Sequence, residues 1–278
     1  MKFDLLSIDL DGTLLTPILA KVSKKDSISI QKYMSQGGKI CINTGRAAFS
    51  ACNFINQINS FGPNKIQFLS AYNGAYIYDF IDDKFYCKTI PHKIVKQIYD
   101  IVLKHKSFIW IHSIDAEKNK TIETNKLTFS SFIWMFRSLK LVKITNFDNF
   151  EAYKVNIYAP FSKRFKQIVE DCKKLKLDVE TIFCFSGKRI IEISPFNTDK
   201  GKALNFLAQK HYISKEKILS LGDSFNDKSA FDVSGHCIGV RPKQISFHDY
   251  CDTIIKHKRH AITKAINDIL SLEQKRNQ

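Results

Sequence analysis

Short apolar runs alternate along the chain with segments whose apolar residues recur every three or four positions. The first pattern is typical of buried strands and the second of amphipathic helices. Before residue 91 the pattern predicts strands at residues 3–8, 39–43 and 66–71, helices at residues 27–36 and 47–58, and a hairpin of residues 76–79 and 85–90. Strands and helices that alternate through short connections indicate a right-handed parallel α/β sheet.

The pattern changes at residue 91, where strands and helices no longer alternate regularly. It predicts helices at residues 91–104, 127–139 and 160–175, strands at residues 108–114 and 153–158, a polar loop at residues 115–125, and a hairpin of residues 179–185 and 189–193. Such a mixture is typical of an inserted α+β domain.

The α/β alternation resumes with a predicted helix at residues 200–210. Further strands are predicted at residues 218–221, 237–240 and 253–255, with a helix up to about residue 234 and a final helix from about residue 261. We therefore predict the α/β fold class, with a Rossmann-like parallel-sheet core of residues 1–85 and 194–278 and an α+β insert at residues 86–193.

Composition and charge narrow the possible functions. The chain has 278 residues, of which 44% are apolar and 25% are charged, and this balance argues against a disordered protein. The net charge of +16 is compatible with nucleic-acid binding. Because the basic residues are scattered along the chain, we favour a general basic background with an anionic substrate over a dedicated nucleic-acid surface.

The cysteine pattern bears on the cellular compartment. Seven cysteines form an odd set without a C-x-x-C pair, and they lie in apolar surroundings such as residues 40–42. This pattern predicts reduced thiols in the core of a cytoplasmic protein. We find no signal-peptide pattern and no apolar run that is long enough to span a membrane. We therefore expect no membrane partner and a monomer or homodimer.

Two acidic residues follow the first predicted strand, in the stretch Asp9-Leu10-Asp11-Gly12-Thr13. Since alternate residues of an extended chain share a face, the side chains of Asp9 and Asp11 can point the same way. Gly12 allows the backbone to turn sharply away from the strand. Open α/β sheets bind their ligands at the carboxyl ends of the strands, which is where these acids lie. An acidic turn without chemistry is the alternative.

Three further polar features are predicted at the same edge of the sheet: Thr44-Gly45-Arg46, Lys200, and Asp223 with Asn226 and Asp227. Together with the first two acids they suit a phosphoryl group and a hard cation such as Mg²⁺, which prefers carboxylate, water and phosphate oxygens. The glycine-rich nucleotide-binding motifs are missing from the sequence. Helix capping by Thr44 or Asp227, and a solvated Lys200, remain the structural alternatives.

These motifs, in this order, resemble those of the haloacid dehalogenase superfamily and, more narrowly, the Cof-type phosphatases. The resemblance is carried by Asp9-Leu10-Asp11-Gly12-Thr13, Asn43-Thr44-Gly45-Arg46, Lys200-Gly201 and Gly222-Asp223-Ser224-Phe225-Asn226-Asp227. Tyr72-Asn73-Gly74-Ala75 and Ile191-Glu192-Ile193-Ser194-Pro195 support it. The likeness runs from residue 3 to about residue 268 and is weakest in the insert.

The resemblance implies a Mg²⁺-dependent phosphatase that forms an aspartyl-phosphate. Asp9 would be the nucleophile, and Asp11 would protonate the leaving oxygen and then activate water. The metal would be held by Asp9, by the backbone carbonyl of Asp11 and by Asp223, with Asp227 supporting metal-bound water. Thr44 and Lys200 complete the expected catalytic set.

The phosphoryl oxygens would be bound by Leu10, Thr44, Gly45, Lys200 and Asn226. We expect Arg46 to be structural, and Asp199 either to compete for Lys200 or to face solvent. The insert would be a cap of the second class that selects the leaving group, and its candidate specificity residues are Trp110, His112, Tyr153, Lys154 and Asn156.

The expected substrates are small phosphorylated metabolites, either sugar phosphates or phosphorylated cofactors. Two alternatives remain. A phosphomutase or another phosphotransferase would share the aspartyl-phosphate and differ in the acceptor. A basic RNA-binding protein without catalysis would instead use the +16 surface.

Overall fold

The computed structural model describes residues 2–15, 21–126, 140–144, 147, 150–177, 181–186, 189–242, 244–256 and 259–276. The chain divides into two compact units. The larger unit consists of Met1–Tyr86 and Asp199–Gln278, and the smaller unit consists of Cys87–Thr198.

The elements follow one another in three segments. The first contains β1 (Leu5–Ile8), α1 (Lys24–Ser35), β2 (Lys39–Asn43), α2 (Ala48–Asn59), β3 (Phe68–Ala71), β4 (Tyr76–Asp79) and β5 (Lys84–Cys87). The second contains α3 (His92–Lys104), β6 (Phe108–Ser113), α4 (Ile114–Lys118), β7 (Thr121–Thr124), β8 (Lys140–Lys143), β9 (Ala152–Tyr158), α5 (Ser162–Lys174), β10 (Thr181–Ser186) and β11 (Ile190–Pro195). The third contains α6 (Lys200–Lys210), β12 (Ile218–Gly222), α7 (Lys228–Asp232), β13 (His236–Val240), β14 (Thr253–Ile255) and α8 (Ala261–Arg276).

The larger unit is built on an eight-stranded sheet in the order β14-β13-β12-β1-β2-β3-β4-β5. The pairs from β14 to β3 are parallel, and β4 runs antiparallel to β3. The central strand β1 lies between β12 and β2, so the chain leaves all three strands at one edge of the sheet. This arrangement places the polar segments after β1, β2 and β12 at that edge.

Helix α6 packs on one face of this sheet. Its apolar residues Leu204 and Leu207 form a buried core with Leu5 of β1, Cys41 of β2 and Phe68 of β3. Because the core fixes α6 against three central strands, the first residue of the helix is held close to their carboxyl ends.

The smaller unit has its own six-stranded sheet in the order β10-β11-β9-β6-β7-β8. Alternate residues of β6, β9 and β11 are apolar, and they pack against α3 and α5 in a separate buried core. Ile111, Val155 and Ile157 are fully buried members of this core. Apolar residues recur at every second position in these strands and at every third or fourth position in α3 and α5. Each element therefore buries one face.

The predicted fold class is confirmed: a largely parallel α/β sheet carries an inserted α+β unit. The polar loop predicted at residues 115–125 is wrong, since this segment contains α4 and β7. Ser113 caps α4 by accepting a hydrogen bond from the Ala116 N–H at 2.9 Å, and β7 pairs with both β6 and β8. The cap is a polar side chain, and β8 is distant from β7 in sequence. Hydrophobic periodicity therefore indicated neither element.

Two sequence predictions fall on parts of the chain that are not described. The helix at residues 127–139 lies entirely outside the described residues, as does the beginning of the strand at residue 179. In the part of the chain that is described, no helix is both long enough and apolar enough to cross a membrane.

Candidate active site

The candidate site begins where β1 ends. Asp9 is buried and extended, and a five-residue turn follows it at Leu10–Leu14. The Leu14 N–H donates to the Asp9 carbonyl at 3.2 Å, and the Leu15 N–H donates to the Leu10 carbonyl at 2.9 Å. Gly12 has a φ of 92°, and a Cβ atom at this position would lie 1.9 Å from Asp223 Oδ2. Glycine therefore supplies the backbone conformation and also lets the turn lie against Asp223.

Lys200 lies at the first position of α6, with its side chain 1% exposed. Its Nζ donates to Asp9 Oδ1 and to Asp227 Oδ1, both at 2.6 Å. A lysine near a helix N-terminus meets an unfavourable helix dipole. Its two carboxylate partners compensate for this position, so the solvated lysine considered from the sequence is not what the structure shows.

Asp227 links this ion pair to the loop after β12. Its Oδ2 accepts hydrogen bonds from the backbone N–H groups of Asp223 at 2.9 Å and Ser224 at 3.2 Å. It also forms a capping box with Ser224. This capping box belongs to the short 3₁₀ turn Phe225–Asp227. At the start of α7 the Asp227 side chain makes no capping hydrogen bond, and its other oxygen binds Lys200 instead.

Three buried carboxylates form this cluster, and two of them contact the Lys200 ammonium group. Ligand oxygens of Asp9, Asp223 and Asp227 lie within 4.8 Å of one another. Burial raises the pKa of Asp9 above its ordinary value; Lys200 opposes this effect, and the nearby Asp227 and Asp223 add to it. Burial alone would lower the pKa of Lys200, but the Asp227 and Asp9 carboxylates hold it above its ordinary value. The excess of hard oxygen donors fits a divalent cation such as Mg²⁺.

A second acidic cluster has no such excess. Asp79, Asp82 and His211 also bring three potential ligand atoms together. Lys210 Nζ pairs with Asp79 and lies 2.5 Å from Asp82 Oδ2, and His211 Nε2 lies 2.8 Å from Asp79 Oδ2. Both carboxylates of this cluster therefore already have side-chain partners within the protein.

Asp11 lies apart from the buried cluster, with its side chain 59% exposed. Arg46 Nε and Nη2 donate to its two carboxylate oxygens, each at 2.6 Å. The guanidinium group also lies over the Phe54 ring, 5.0 Å from its centroid. Both oxygens of the expected proton donor are thus bound by a side chain that the sequence pattern assigned only a structural role. In the sequence, only the position of Arg46 directly after Thr44-Gly45 indicated that this side chain could lie at the candidate site.

The structure also places the expected phosphate-binding residues. Thr44 is buried directly after β2, and its Oγ1 accepts from the Arg46 N–H at 3.2 Å. A Cβ atom on Gly45 would lie 2.8 Å from Asn73 Oδ1. Leu10 is fully buried in the turn after β1. Asn226 is exposed, and its Oδ1 accepts from Ser224 Oγ at 2.8 Å. Their roles in binding phosphate stay predictions.

Asp199 does not compete for Lys200. Its side chain caps α6 by accepting from the Lys202 N–H at 2.7 Å, and its other oxygen lies 3.3 Å from Lys202 Nζ.

Four of the five specificity candidates of the smaller unit occupy paired positions on neighbouring strands. Trp110 pairs with Asn156, and His112 pairs with Lys154. Tyr153 is instead the extra residue of a bulge at this point. Lys154 Nζ lies 2.5 Å from Glu192 Oε2, and burial lowers the pKa of His112 to about 3. Their role in selecting substrate stays a prediction.

Comparison with known proteins shows the family. A model of the haloacid dehalogenase-like hydrolases matches residues 6–266. The 5-amino-6-(5-phospho-D-ribitylamino)uracil phosphatase YwtE of Bacillus subtilis is 28% identical over 259 residues, covering 84% of this chain and 86% of the relative. The phosphatase YwpJ of the same bacterium is 23% identical over 303 residues, covering 96% and 99%.

The fold is also shared with a solved structure, that of a haloacid dehalogenase-like hydrolase from Bacteroides thetaiotaomicron. The TM-score is 0.82 at 20% identity, with 96% of this chain and 100% of that chain covered. The family match spans both segments of the larger unit and the insert between them. The chain therefore belongs to the haloacid dehalogenase-like hydrolases of Cof type and is a phosphoric monoester hydrolase.

Proposed function

We propose that this protein is a Mg²⁺-dependent phosphatase of small phosphorylated metabolites that works through an aspartyl-phosphate on Asp9. The observation that carries the proposal is the buried cluster of Asp9, Asp223 and Asp227 around Lys200. It combines a candidate nucleophile, a cation that can balance charge, and oxygen donors in excess of that cation.

The metal would be held by Asp9, Asp223 and the backbone carbonyl of Asp11, with Asp227 supporting its water ligands. When bound, Mg²⁺ would supply positive charge to the phosphoryl oxygens. The fit rests on the donor set: oxygens of three buried carboxylates lie within 4.8 Å of one another, and Lys200 contacts two of these carboxylates, those of Asp9 and Asp227.

In the first step an oxygen of Asp9 attacks phosphorus, and the bond from phosphorus to the leaving oxygen breaks. Asp11 donates a proton to that oxygen, so the leaving group departs as a neutral alcohol. In the second step water attacks the phosphoryl group on Asp9 and gives its proton to Asp11. Inorganic phosphate leaves, and both aspartates return to their starting states.

Positive and hydrogen-bonding groups would stabilise the phosphoryl oxygens. Lys200 already contacts Asp9, so its charge lies next to the attacking oxygen. Thr44, Gly45, Leu10 and Asn226 belong to segments that leave the sheet at the same edge, and we assign them to phosphoryl binding.

The substrate class rests on chemistry and likeness together. YwtE acts, by its name, on a phosphorylated ribitylamino-uracil, which is a small phosphate ester. This supports sugar phosphates or phosphorylated cofactors and their precursors as substrates here. We assign leaving-group selection to the cap, predicted from the sequence at residues 86–193. The monomeric or dimeric state and the cytoplasmic location stay predictions.

The test is phosphate release from p-nitrophenyl phosphate and from a panel of phosphorylated metabolites, with and without Mg²⁺. We expect Mg²⁺-dependent turnover that is abolished in Asp9→Asn and retained in Asp199→Asn, since asparagine also caps a helix. When the reaction with a substrate that carries a labelled phosphoryl group is quenched with acid, the protein should carry the label only if Asp9 is present. Transfer of phosphate to an added alcohol without net release would instead indicate a phosphotransferase. Salt-dependent RNA binding without turnover would refute the proposal.

A further inference from the structure

The sheet face that packs on α6 changes character along its strands. Near the amino ends its residues are apolar and belong to the core shared with α6. One step closer to the candidate site lies a layer of buried polar residues: Ser7, Asn43, Ser70 and Ser220. Strand register pairs Ser7 with Ser220 and Asn43 with Ser70, and a hydrogen bond between the side chains of Asn43 and Ser7 joins the two pairs. We call these four residues the polar layer.

Asn43 connects this layer to the catalytic lysine. Its Nδ2 donates to the backbone carbonyl of Lys200 at 3.1 Å and to Ser7 Oγ at 3.3 Å, and Asn43 is 1% exposed. A backbone carbonyl can only accept hydrogen bonds, so the amide must direct its nitrogen toward Lys200. This orientation does not depend on distinguishing oxygen from nitrogen in the side chain.

The oxygen of the Asn43 side-chain amide lies in an unfavourable environment. Among the described residues, no hydrogen-bond donor reaches the buried Asn43 Oδ1. An unsatisfied buried acceptor destabilises the folded state, and leucine would fill a similar volume without that penalty. Since α6 is already fixed by an apolar core, holding the helix on the sheet does not require the amide. The hydrogen bonds to the Lys200 carbonyl and to Ser7 Oγ distinguish asparagine from leucine here, and only the first of them reaches α6.

We infer that Asn43 is a positioning residue that fixes the backbone of Lys200 and thereby keeps its ammonium group between Asp9 and Asp227. The inference rests on the proposed function, in which that ammonium group balances charge on the nucleophile. Asn43 itself touches neither nucleophile nor metal-binding carboxylate in the described contacts. Its effect should therefore appear in the rate of the chemical step more than in substrate binding.

The experiment compares Asn43→Leu with Ser70→Ala. Ser70 lies opposite Asn43 in the same layer, and its buried Oγ has no partner among the described residues. We expect Asn43→Leu to lower kcat about 10- to 100-fold, because small displacements of catalytic groups cost rates of this order, while KM changes less than about threefold. Neither variant should have a lower melting temperature than the parent protein, since each removes a buried polar atom without a partner among the described residues. Ser70→Ala should also keep kcat.

A crystal structure of Asn43→Leu provides a readout that does not depend on activity. We expect Lys200 Nζ to lose at least one of its hydrogen bonds to Asp9 and Asp227. An unchanged kcat, or an ammonium group that keeps both contacts, would overturn the inference. If leucine prevents folding, Asn43→Ala serves for both measurements. If the unmodified enzyme releases no phosphate, the proposed function fails, and the crystallographic distances still decide the role of Asn43.

Discussion

At the scale of single residues, Lys200 combines burial of its charge with an unfavourable position in its helix. It is a buried cation at a helix N-terminus, and two buried carboxylates compensate for its position. Removing one partner of a buried ion pair leaves the other charges uncompensated, which costs more than the pair itself contributes. The cluster should therefore respond strongly to loss of Lys200 and also to a cation that can replace it.

Lys200→Met tests this charge balance. We expect the free energy of unfolding to fall by about 3 kcal/mol without metal, because the carboxylates then repel one another in a buried site. Added Mg²⁺ should restore part of the stability, since the proposed metal site exists only in the folded state. Urea denaturation with and without Mg²⁺ measures both effects. Lys202→Met in the same helix is the control, and its partly exposed pair with Asp199 should contribute less than about 1 kcal/mol. Equal losses in the two variants would contradict the prediction.

Arg46→Ala tests the contact with Asp11. The pair is partly exposed, so its loss should change stability by less than about 1 kcal/mol. Its bidentate geometry fixes the orientation of the expected proton donor, so kcat/KM should fall about tenfold or more. Arg46→Lys, which offers a single ammonium group in place of the fork, should show an intermediate value. Steady-state assays of the three proteins measure this order, and a kcat/KM in Arg46→Ala equal to that of the parent would exclude the role.

At the scale of elements, the turn after β1 depends on one glycine for two separate reasons. Gly12 has a φ of 92°, and it lies against the Asp223 carboxylate. Gly37, which follows α1, has a similar φ of 90°, but no atom lies within 4 Å of the place that a Cβ would take there. The two positions share a backbone conformation that would strain any side chain, and they differ in what a Cβ atom would contact.

Gly12→Ala and Gly37→Ala separate these two effects. Gly37→Ala should cost about 1–2 kcal/mol of unfolding free energy, the usual penalty for a side chain in the left-handed region. Gly12→Ala should cost about 1–3 kcal/mol more, because its Cβ would displace Asp223. It should also weaken Mg²⁺ binding, which Gly37→Ala should leave intact. Thermal unfolding and calorimetric titration with Mg²⁺ measure the two quantities, and identical behaviour of the variants would refute the role of contact.

The elements themselves were predictable where a local pattern specifies them. β2, α6 and β14 have the predicted bounds, because each combines an apolar pattern with a clear end. Residues 115–125 were not predictable in this way. There a short helix depends on a serine cap, and a strand depends on neighbours that are remote in sequence. Local propensity is weak in such segments, and tertiary pairing decides their structure.

At the scale of the whole molecule, the apolar cores of the described residues separate into those of the larger unit and that of the smaller unit. Each core consists of residues from its own unit. A cavity in the core of one unit should therefore destabilise mainly that unit.

Ile157→Ala in the core of the smaller unit tests this independence. Ile157 is fully buried, so the loss should be about 2–4 kcal/mol. We expect faster amide hydrogen exchange within residues 87–198 and unchanged protection in the larger unit. Leu103→Ala in α3 is the control, since Leu103 is exposed and should contribute less than about 0.5 kcal/mol. Equal loss of protection in both units would show that they unfold together.

The α/β class, the inserted unit and the candidate set of acids, hydroxyl and lysine at one edge of the sheet all follow from the amino-acid sequence alone. They do so because strand and helix periods and short motifs are local properties of the chain. Which groups meet became known only from the folded chain. Lys200 joins Asp9 across 191 positions, Arg46 binds Asp11, and Asn43 contacts the carbonyl of Lys200. These contacts depend on how α6 and the strands pack, and no local pattern specifies that packing.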